Sequence, residues 1–355
     1  MPKKKIDVAL QGGGSHGAFT WGVLDRLLQL EDIEITGISG TSAGAMNAVA
    51  LAQGLTQAGP QGARDLLTHY WTEVSRASVA SPYKRTIWDK LRGNWSLEFS
   101  PGFIFSQFTR QMASPYQFNP MNINPLRDLV RACFDFDAIN SPDGPRVFLS
   151  ATNVRTGRPK VFRQPDISVD AVMASACLPH VFKAVEIDGE AYWDGGYMGN
   201  PPLFPLVDET DARDVIIVQI NPFERPDIPT TPYDIENRLN EITFNSSLMK
   251  ELRSLGFLWE IIEHDDLDRA AYRDGRLHRI QASEAMCDLS VSSKMNAEMA
   301  FLEHLFEIGW TTADAWVNSA WPKVGKTSTW RPKEVFEESL KPAHLAQGTD
   351  RGPKA

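Results

Sequence analysis

The chain is poor in several features that would announce a function. Only three of its 355 residues are cysteine, Cys133, Cys177 and Cys287. They are far apart, odd in number, and without the short Cys/His spacings of a zinc site, so neither a metal centre nor a disulfide framework is expected. Reduced thiols suit a cytoplasmic protein. Basic residues are also scarce, 36 Lys and Arg against 45 Asp and Glu for a net charge of -9. With no basic block, nucleic acid is not an expected partner. Attraction to anionic membrane surfaces is weakened too, so any peripheral contact with lipid would come from apolar side chains.

Long hydrophobic runs are missing as well. Lys3, Lys4 and Lys5 precede an apolar run, Ile6 to Leu10, that contains Asp7 and ends at Gln11 and a glycine cluster. It is shorter than the roughly 7 to 15 residue core of a signal peptide, and no secretion signal is read. From Ile35 to Ala63 no residue is charged, yet six are glycine and the longest wholly apolar run is Ala48 to Ala52. That is far from a membrane span of about 20 apolar residues. At 42% hydrophobic and 23% charged, the chain can nonetheless bury a full core.

The first sixty residues repeat one pattern twice. Ile6 to Leu10 reads as a buried strand, Gly12 to Gly17 as a tight turn, and Phe19 to Leu30 as a helix with Leu24, Leu27 and Leu28 on one side. Ile33 to Ile38 is a second strand, followed by Gly40-Thr41-Ser42-Ala43-Gly44 and a small-residue helix to about Gln53. Strand, glycine turn, helix, twice over, indicates an α/β fold with a mostly parallel sheet flanked by helices. Functional groups in such sheets collect at the carboxyl ends of the strands.

The second turn fits G-x-S-x-G in the strand-to-helix context the motif requires. A serine on so sharp a turn has a strained backbone, and glycines two residues either side let strand and helix approach closely. The helix N-terminus then points unpaired amides at the serine, although an N-capping serine in a plain loop would share the pattern. The first turn, Gly12-Gly13-Gly14-Ser15-His16-Gly17, also satisfies the dinucleotide pattern G-x-G-x-x-G. An NAD(P)-binding protein would need an acidic residue at the end of the second strand, where the serine elbow stands. Three glycines at a strand end suit a bank of N–H donors for an oxyanion better.

A serine nucleophile needs a base. His180, His264, His278, His304 and His344 follow the elbow, but none stands in a glycine-rich turn after a strand. Asp194 does: Asp194-Gly195-Gly196 follows a hairpin-like pair, Val181 to Ile187 and Glu190 to Trp193, joined at Asp188-Gly189. A histidine triad remains an alternative.

These residues resemble the patatin-like phospholipase family of lipid acyl hydrolases, related to patatin and cytosolic phospholipase A2. Its three ordered motifs stand here at Gly12 to Gly17, Gly40 to Gly44 and Asp194 to Gly196. Further similarity lies in Ala151-Thr152-Asn153 with Gly157 after it, and in Ala174 to Pro179. The resemblance covers about residues 6 to 220. It implies a Ser42–Asp194 dyad without histidine or cofactor, and an oxyanion hole from Gly12, Gly13, Gly14 and Ala43, supported by Ser15, His16, Gly17, Gly40, Gly44, Gly195 and Gly196. The implied activity is that of a phospholipase A or lysophospholipase working through an acyl-enzyme. His16 departs from the family's usual Arg or Lys, and as a helix-start residue it is expected to face solvent.

Trp88 to Phe118 holds eight aromatics in 31 residues, against 10% for the whole chain. Phe103, Phe105 and Phe108 suggest a partly apolar face, and 82–125 reads as a lid-like insertion or acyl-chain groove. Val215 to Ile220 is a further core strand and Arg276 to Ala282 an edge strand. Asp234 to Glu263 reads as a helix with Ile235, Leu239, Ile242, Leu248, Leu252 and Leu255 inside, and Ser292 to Phe306 as another. The expected organisation is one catalytic domain over 6–325 and a fraying polar tail over 326–355. A non-catalytic lipid-binding module is the remaining alternative.

Overall fold

The computed structural model describes residues 2–264 and 275–332. The chain begins β1 (Lys4–Leu10), α1 (Gly17–Leu27), β2 (Ile33–Gly40), α2 (Ala43–Ala77), realising both strand–turn–helix units. A run of short helices follows: α3 (Ile87–Leu91), α4 (Pro101–Met112), α5 (Pro115–Phe118), α6 (Pro125–Cys133) and α7 (Phe136–Ile139). Next come β3 (Arg146–Asn153), β4 (Pro159–Arg163), α8 (Val169–Ser175), β5 (Val185–Ile187), β6 (Glu190–Asp194), α9 (Phe204–Glu209) and β7 (Asp214–Gln219). The order closes with α10 (Pro232–His264), β8 (Arg276–Gln281), α11 (Ser283–Cys287) and α12 (Met299–Ala320).

Among the described residues the strands form one sheet in the order β5-β6-β3-β2-β1-β7-β8, with β4 also paired to β3. β3, β2, β1, β7 and β8 run parallel. Both faces are covered, which is why β1 and β7 read as near-continuous apolar runs. Ile6, Val8 and Leu10 enter the larger core with Ile216 and Val218; Ala9, Val215 and Ile217 enter a second core with Leu248 and Leu252 of α10.

One detail of β3 positions the site. Gly40 at the end of β2 pairs with Leu149, whereas Asp194 at the end of β6 pairs with Ala151. β4 spans Phe148 to Thr152 and overlaps both neighbours, so it occupies the opposite edge of β3. β2 and β6 therefore share one edge, end to end, and Asp194 lies just beyond the serine elbow.

Several sequence expectations change. The helix after the elbow continues past Gln53 to Ala77, broken at Ala58 and Gly59 before Pro60. Ser292 to Phe306 is not one helix: Val291–Met295 is a 3-10 turn and α12 starts at Met299. In α10, Leu248 and Leu252 are buried, but Ile235, Leu239 and Ile242 are exposed. Periodicity gives a helix its apolar face, yet only the second half of this one lies over the sheet. The tail packs further than its composition suggests: Thr329 N–H donates to Leu277 O and Trp330 is buried. Residues 333–355 lie outside the described residues. No helix among the described residues is long and apolar enough to cross a membrane.

At the amino ends of β7 and β8, buried Asp214 accepts hydrogen bonds from Arg276, His278 and the Gly325 amide, tying both strands to the C-terminal segment. Burial alone would raise its pKa, but these donors outweigh it and hold the carboxyl well below the usual range. Asp214→Ala should cost about 3–5 kcal/mol in chemical denaturation at pH 7, because it strands the largely buried Arg276 guanidinium and leaves two further donors without their acceptor. The depressed carboxyl stabilises fully above its unfolded pKa of about 4 and loses that contribution as pH falls through its lower folded value. The gap between wild type and variant should accordingly narrow on acidification below pH about 4.

Candidate active site

The elbow is a matter of clearance. A Cβ on Gly44 would lie 2.1 Å from Leu10 O, and one on Gly40 would lie 2.4 Å from Gly44 O. Both positions need glycine for α2 to start directly on the ends of β1 and β2. Ser42, between them, has φ 55 and ψ -121, a strained conformation for a residue with a side chain. Its own amide donates to Ser175 Oγ at 3.0 Å, and Thr41 Oγ1 donates to Gly199 O at 2.6 Å, so the turn is pinned from two directions.

The glycine bank lies alongside, Gly12 so close that a Cβ there would sit 2.8 Å from Ser42 Cβ. Among the described residues the amides of Gly13, Gly14 and Ala43 have no hydrogen bond within the protein. They are the donors free to meet an oxyanion. Gly12 is not one of them, contrary to expectation: its N–H donates to Asn200 Oδ1 at 2.7 Å, and its carbonyl accepts from Asn221 Nδ2 at 2.9 Å. Gly12 anchors the bank. Gln11 extends the anchor, accepting from the Ile220 and Asn221 amides and donating to Asn245 Oδ1.

His16 also departs from expectation. It is 4% exposed and packs its ring near Phe301. Its Nε2 lies 2.7 Å from Ser293 Oγ, whose single proton is donated to Ser290 O. Ser293 must therefore accept, which makes His16 the Nε2–H tautomer. Burial, and then the charges of Lys294 and Arg225, hold its pKa well below 6.5. A neutral ring supplies no charge to the loop. Ser15 and Gly17 are likewise buried, the latter against Ala43 and Trp71.

Asp194 is fully buried beneath the elbow. Its Oδ1 accepts from the Gly196 amide at 2.7 Å, while Oδ2 has no hydrogen-bond partner. Gly195 packs on Ser150 O and Gly196 under the Phe244 ring, sealing the carboxylate from the side of α10. That burial raises its pKa to about 7, tempered by the Gly196 amide, by the nearby Ser42 hydroxyl and by the charge of Lys294. A carboxylate so placed can accept a proton near neutrality, as a free one at about 3.9 scarcely can.

Ser42, Gly13 and Gly14 open on a cleft of about 220 Å³, walled by Phe103 and Gln107 of α4, by Asn240 and Phe244 of α10, and by Lys294. His180 also lines it but has no hydrogen bond to a carboxylate among the described residues. His278 is committed to Asp214 and Thr329 at the opposite end of the sheet. His304 stacks on Trp95. The His264 side chain and His344 lie outside the described residues. No group of three or more His, Cys, Asp or Glu among the described residues is arranged to hold a metal ion.

Sequence reasoning missed Asn200, Asn221, Ser175 and Lys294. Ser175 and Asn221 carried hints, the one inside the similarity over Ala174 to Pro179 and the other directly after the strand over Val215 to Ile220.

Fold and site together are those of a mixed α/β protein with a serine on a strand-to-helix turn beside backbone N–H groups that have no partner among the described residues. The family model for patatin-like phospholipases matches residues 8–207, and the chain belongs to that family, so it is a hydrolase of lipid acyl esters. It is 23% identical over 343 residues to a cGAMP-activated phospholipase of Escherichia coli (strain TW11681), covering 83% of this chain and 86% of that protein. Among solved structures it is similar to VipD from Legionella pneumophila, at TM-score 0.37 and 14% identity over 86% of this chain and 67% of that one. It is also similar to the ExoU–SpcU complex from Pseudomonas aeruginosa, at TM-score 0.29 and 16% identity over 93% and 73% of the respective chains.

Keeping an ionised Asp194 in this position costs stability, with a sign that can be checked. Its folded pKa is raised, so the native state is favoured while the group is protonated and loses that advantage as pH rises toward 7. Asp194→Asn, which does not titrate, should gain thermal stability over wild type progressively from pH about 4 to 7 and by a constant margin above. Calorimetric Tm values across that range check it.

Proposed function

We propose that the protein is a phospholipase A or lysophospholipase whose Ser42 is the nucleophile and Asp194 the base. The observation that carries this reading is the unpartnered, buried Oδ2 of Asp194 beside the strained Ser42, with no histidine–carboxylate pair at the cleft among the described residues. In the first half-reaction Asp194 takes the Ser42 proton as Oγ attacks the ester carbonyl. The oxyanion rests on the amides of Gly13, Gly14 and Ala43. As the intermediate collapses, Asp194 returns the proton to the departing alkoxide and the acyl group stays on Ser42. Water, losing a proton to Asp194, then releases the fatty acid and restores the hydroxyl.

Ser42→Ala should lower kcat about 1000-fold or more and abolish labelling by a fluorophosphonate probe. Asp194→Asn should cost about 100- to 10,000-fold, the range of a general base. His180→Ala should leave turnover nearly unchanged. In wild type, kcat/KM should fall on acidification through pH about 7 as Asp194 is protonated. A profile flat from pH 5 to 8 would contradict Asp194 as base.

Lipid reaches the cleft across an apolar rim. Ile104, Phe105, Phe108 and Met112 of α4 are exposed, as are Ile235, Leu239 and Ile242 of α10. These two helices also wall the cleft. Each large side chain entering a bilayer gains roughly 1.5–3 kcal/mol, enough in concert to hold a protein of net charge -9 on zwitterionic lipid. Phe105→Ser with Phe108→Ser should weaken sedimentation with phosphatidylcholine vesicles while hydrolysis of a soluble p-nitrophenyl ester continues. Equal vesicle binding by wild type and the double variant would remove α4 from the docking face.

A further inference from the structure

We infer that Lys294 is a positioning residue for the oxyanion loop and carries the positive charge for the cleft that the loop itself lacks. The inference rests on the Ser42–Asp194 reading and goes beyond it. No motif contains Lys294, and 252 residues separate it from Ser42. It arrives on the 3-10 turn Val291–Met295, which lies directly on the glycine bank. At Gly14, where φ is +59, a Cβ would meet Lys294 O at 2.5 Å. The preceding residue, Ser293, accepts from His16, and Ser292 Oγ accepts from the Leu97 amide in the aromatic insertion.

The side chain runs into the cleft and ends on the loop's anchor. Lys294 Nζ donates to Asn221 Oδ1 at 2.8 Å, and Asn221 Nδ2 donates to Gly12 O at 2.9 Å. Two hydrogen bonds thus connect the ammonium to the backbone of the bank. An ammonium has three N–H donors, whereas buried His16 is neutral. Arg225, the other nearby cation, is engaged by Glu241 through paired hydrogen bonds, and Glu241 also takes Arg238.

Burial is costly for Lys294 and lowers its pKa to about 8. Glu241 and Asp194 oppose that fall while Arg225 adds to it. The ionisable groups facing Asp194 in turn are Lys294, Cys177 and Tyr197. Burial raises both the thiol and the phenol to about 12, leaving them neutral, so among the described residues Lys294 is the charge that acts on Asp194. As Ser42 attacks, negative charge passes from the Asp194 carboxylate to the oxyanion. A cation on the wall of the same cleft as Ser42, Gly13 and Gly14 lowers the energy of the charge that develops on the oxyanion.

The test uses the full chain and a soluble p-nitrophenyl butyrate ester, so that neither head group nor membrane enters. Lys294→Met should lower kcat roughly 10- to 100-fold with little change in KM, less than the ~100- to 1000-fold of a lost direct donor. It should also move the acidic limb of kcat/KM upward by on the order of half a pH unit, since Asp194 loses an attracting charge. Lys294→Arg should restore most of kcat and return the limb. Asn221→Ser, which keeps the ammonium but cuts its link to Gly12, should lower kcat without moving the limb.

A folded Lys294→Met enzyme with wild-type kcat and limb overturns the inference. So does wild-type kcat in Asn221→Ser, which also serves if Lys294→Met does not fold. Turnover by Ser42→Ala, by contrast, would overturn the dyad itself, whatever the Lys294 variants do.

Discussion

Along one edge of β3, β2 stops and β6 begins, and the whole site depends on that succession. Gly40 pairs with Leu149 and Asp194 with Ala151, two positions further along the same strand. The gap is filled by the turn carrying Ser42. β2 runs parallel to β3 and β6 antiparallel, so both strands deliver their C-terminal ends to that gap from opposite directions. Backbone pairing thus brings the two side chains together before any side-chain contact is made, and glycines at 40, 44, 195 and 196 let the two turns close without collision.

Electrostatics then act on a geometry already set. Asp194 is placed where water is excluded, with one oxygen satisfied by Gly196 and the other left without a partner. An unsatisfied buried carboxylate oxygen destabilises a resting protein, and its presence at a cleft is what supports the base role proposed for Asp194. Nearby, burial suppresses the charge of His16, whereas Lys294 holds its charge against burial because it has Asn221 as acceptor and Glu241 and Asp194 as counter-charges. Two basic side chains around the same loop are thereby given different charge states, one neutral and one cationic.

How far the molecule could be read in advance depended on the range of each constraint. The β1 and β2 units, the elbow and the hairpin turn at Asp188-Gly189 were legible because their cues fall within a few residues. Asp188 and Gly189 do take positive φ, as that turn demands. His16 was misjudged as solvent-facing because its cover, Ser293 and Phe301, comes from the far end of the chain. Gly12 belongs to the donor bank by sequence, but its amide is taken by Asn200, 188 positions further on. In α10 the apolar stripe was visible, but Ile235, Leu239 and Ile242 needed something to pack against, and the sheet does not extend beneath them. Polar composition after Thr327 concealed Trp330, one residue whose burial fastens the segment to β8.

The sequence by itself determined the parallel α/β framework, the strained serine turn, the glycine bank and the acidic glycine turn, because steric requirements on φ, ψ and Cβ act locally. Tertiary structure alone decided which amides are free, which histidine is neutral, how basic Asp194 is and that Lys294 stands beside it. Those are properties of desolvation and distance, set by neighbours that lie far apart in the chain and that only folding brings together.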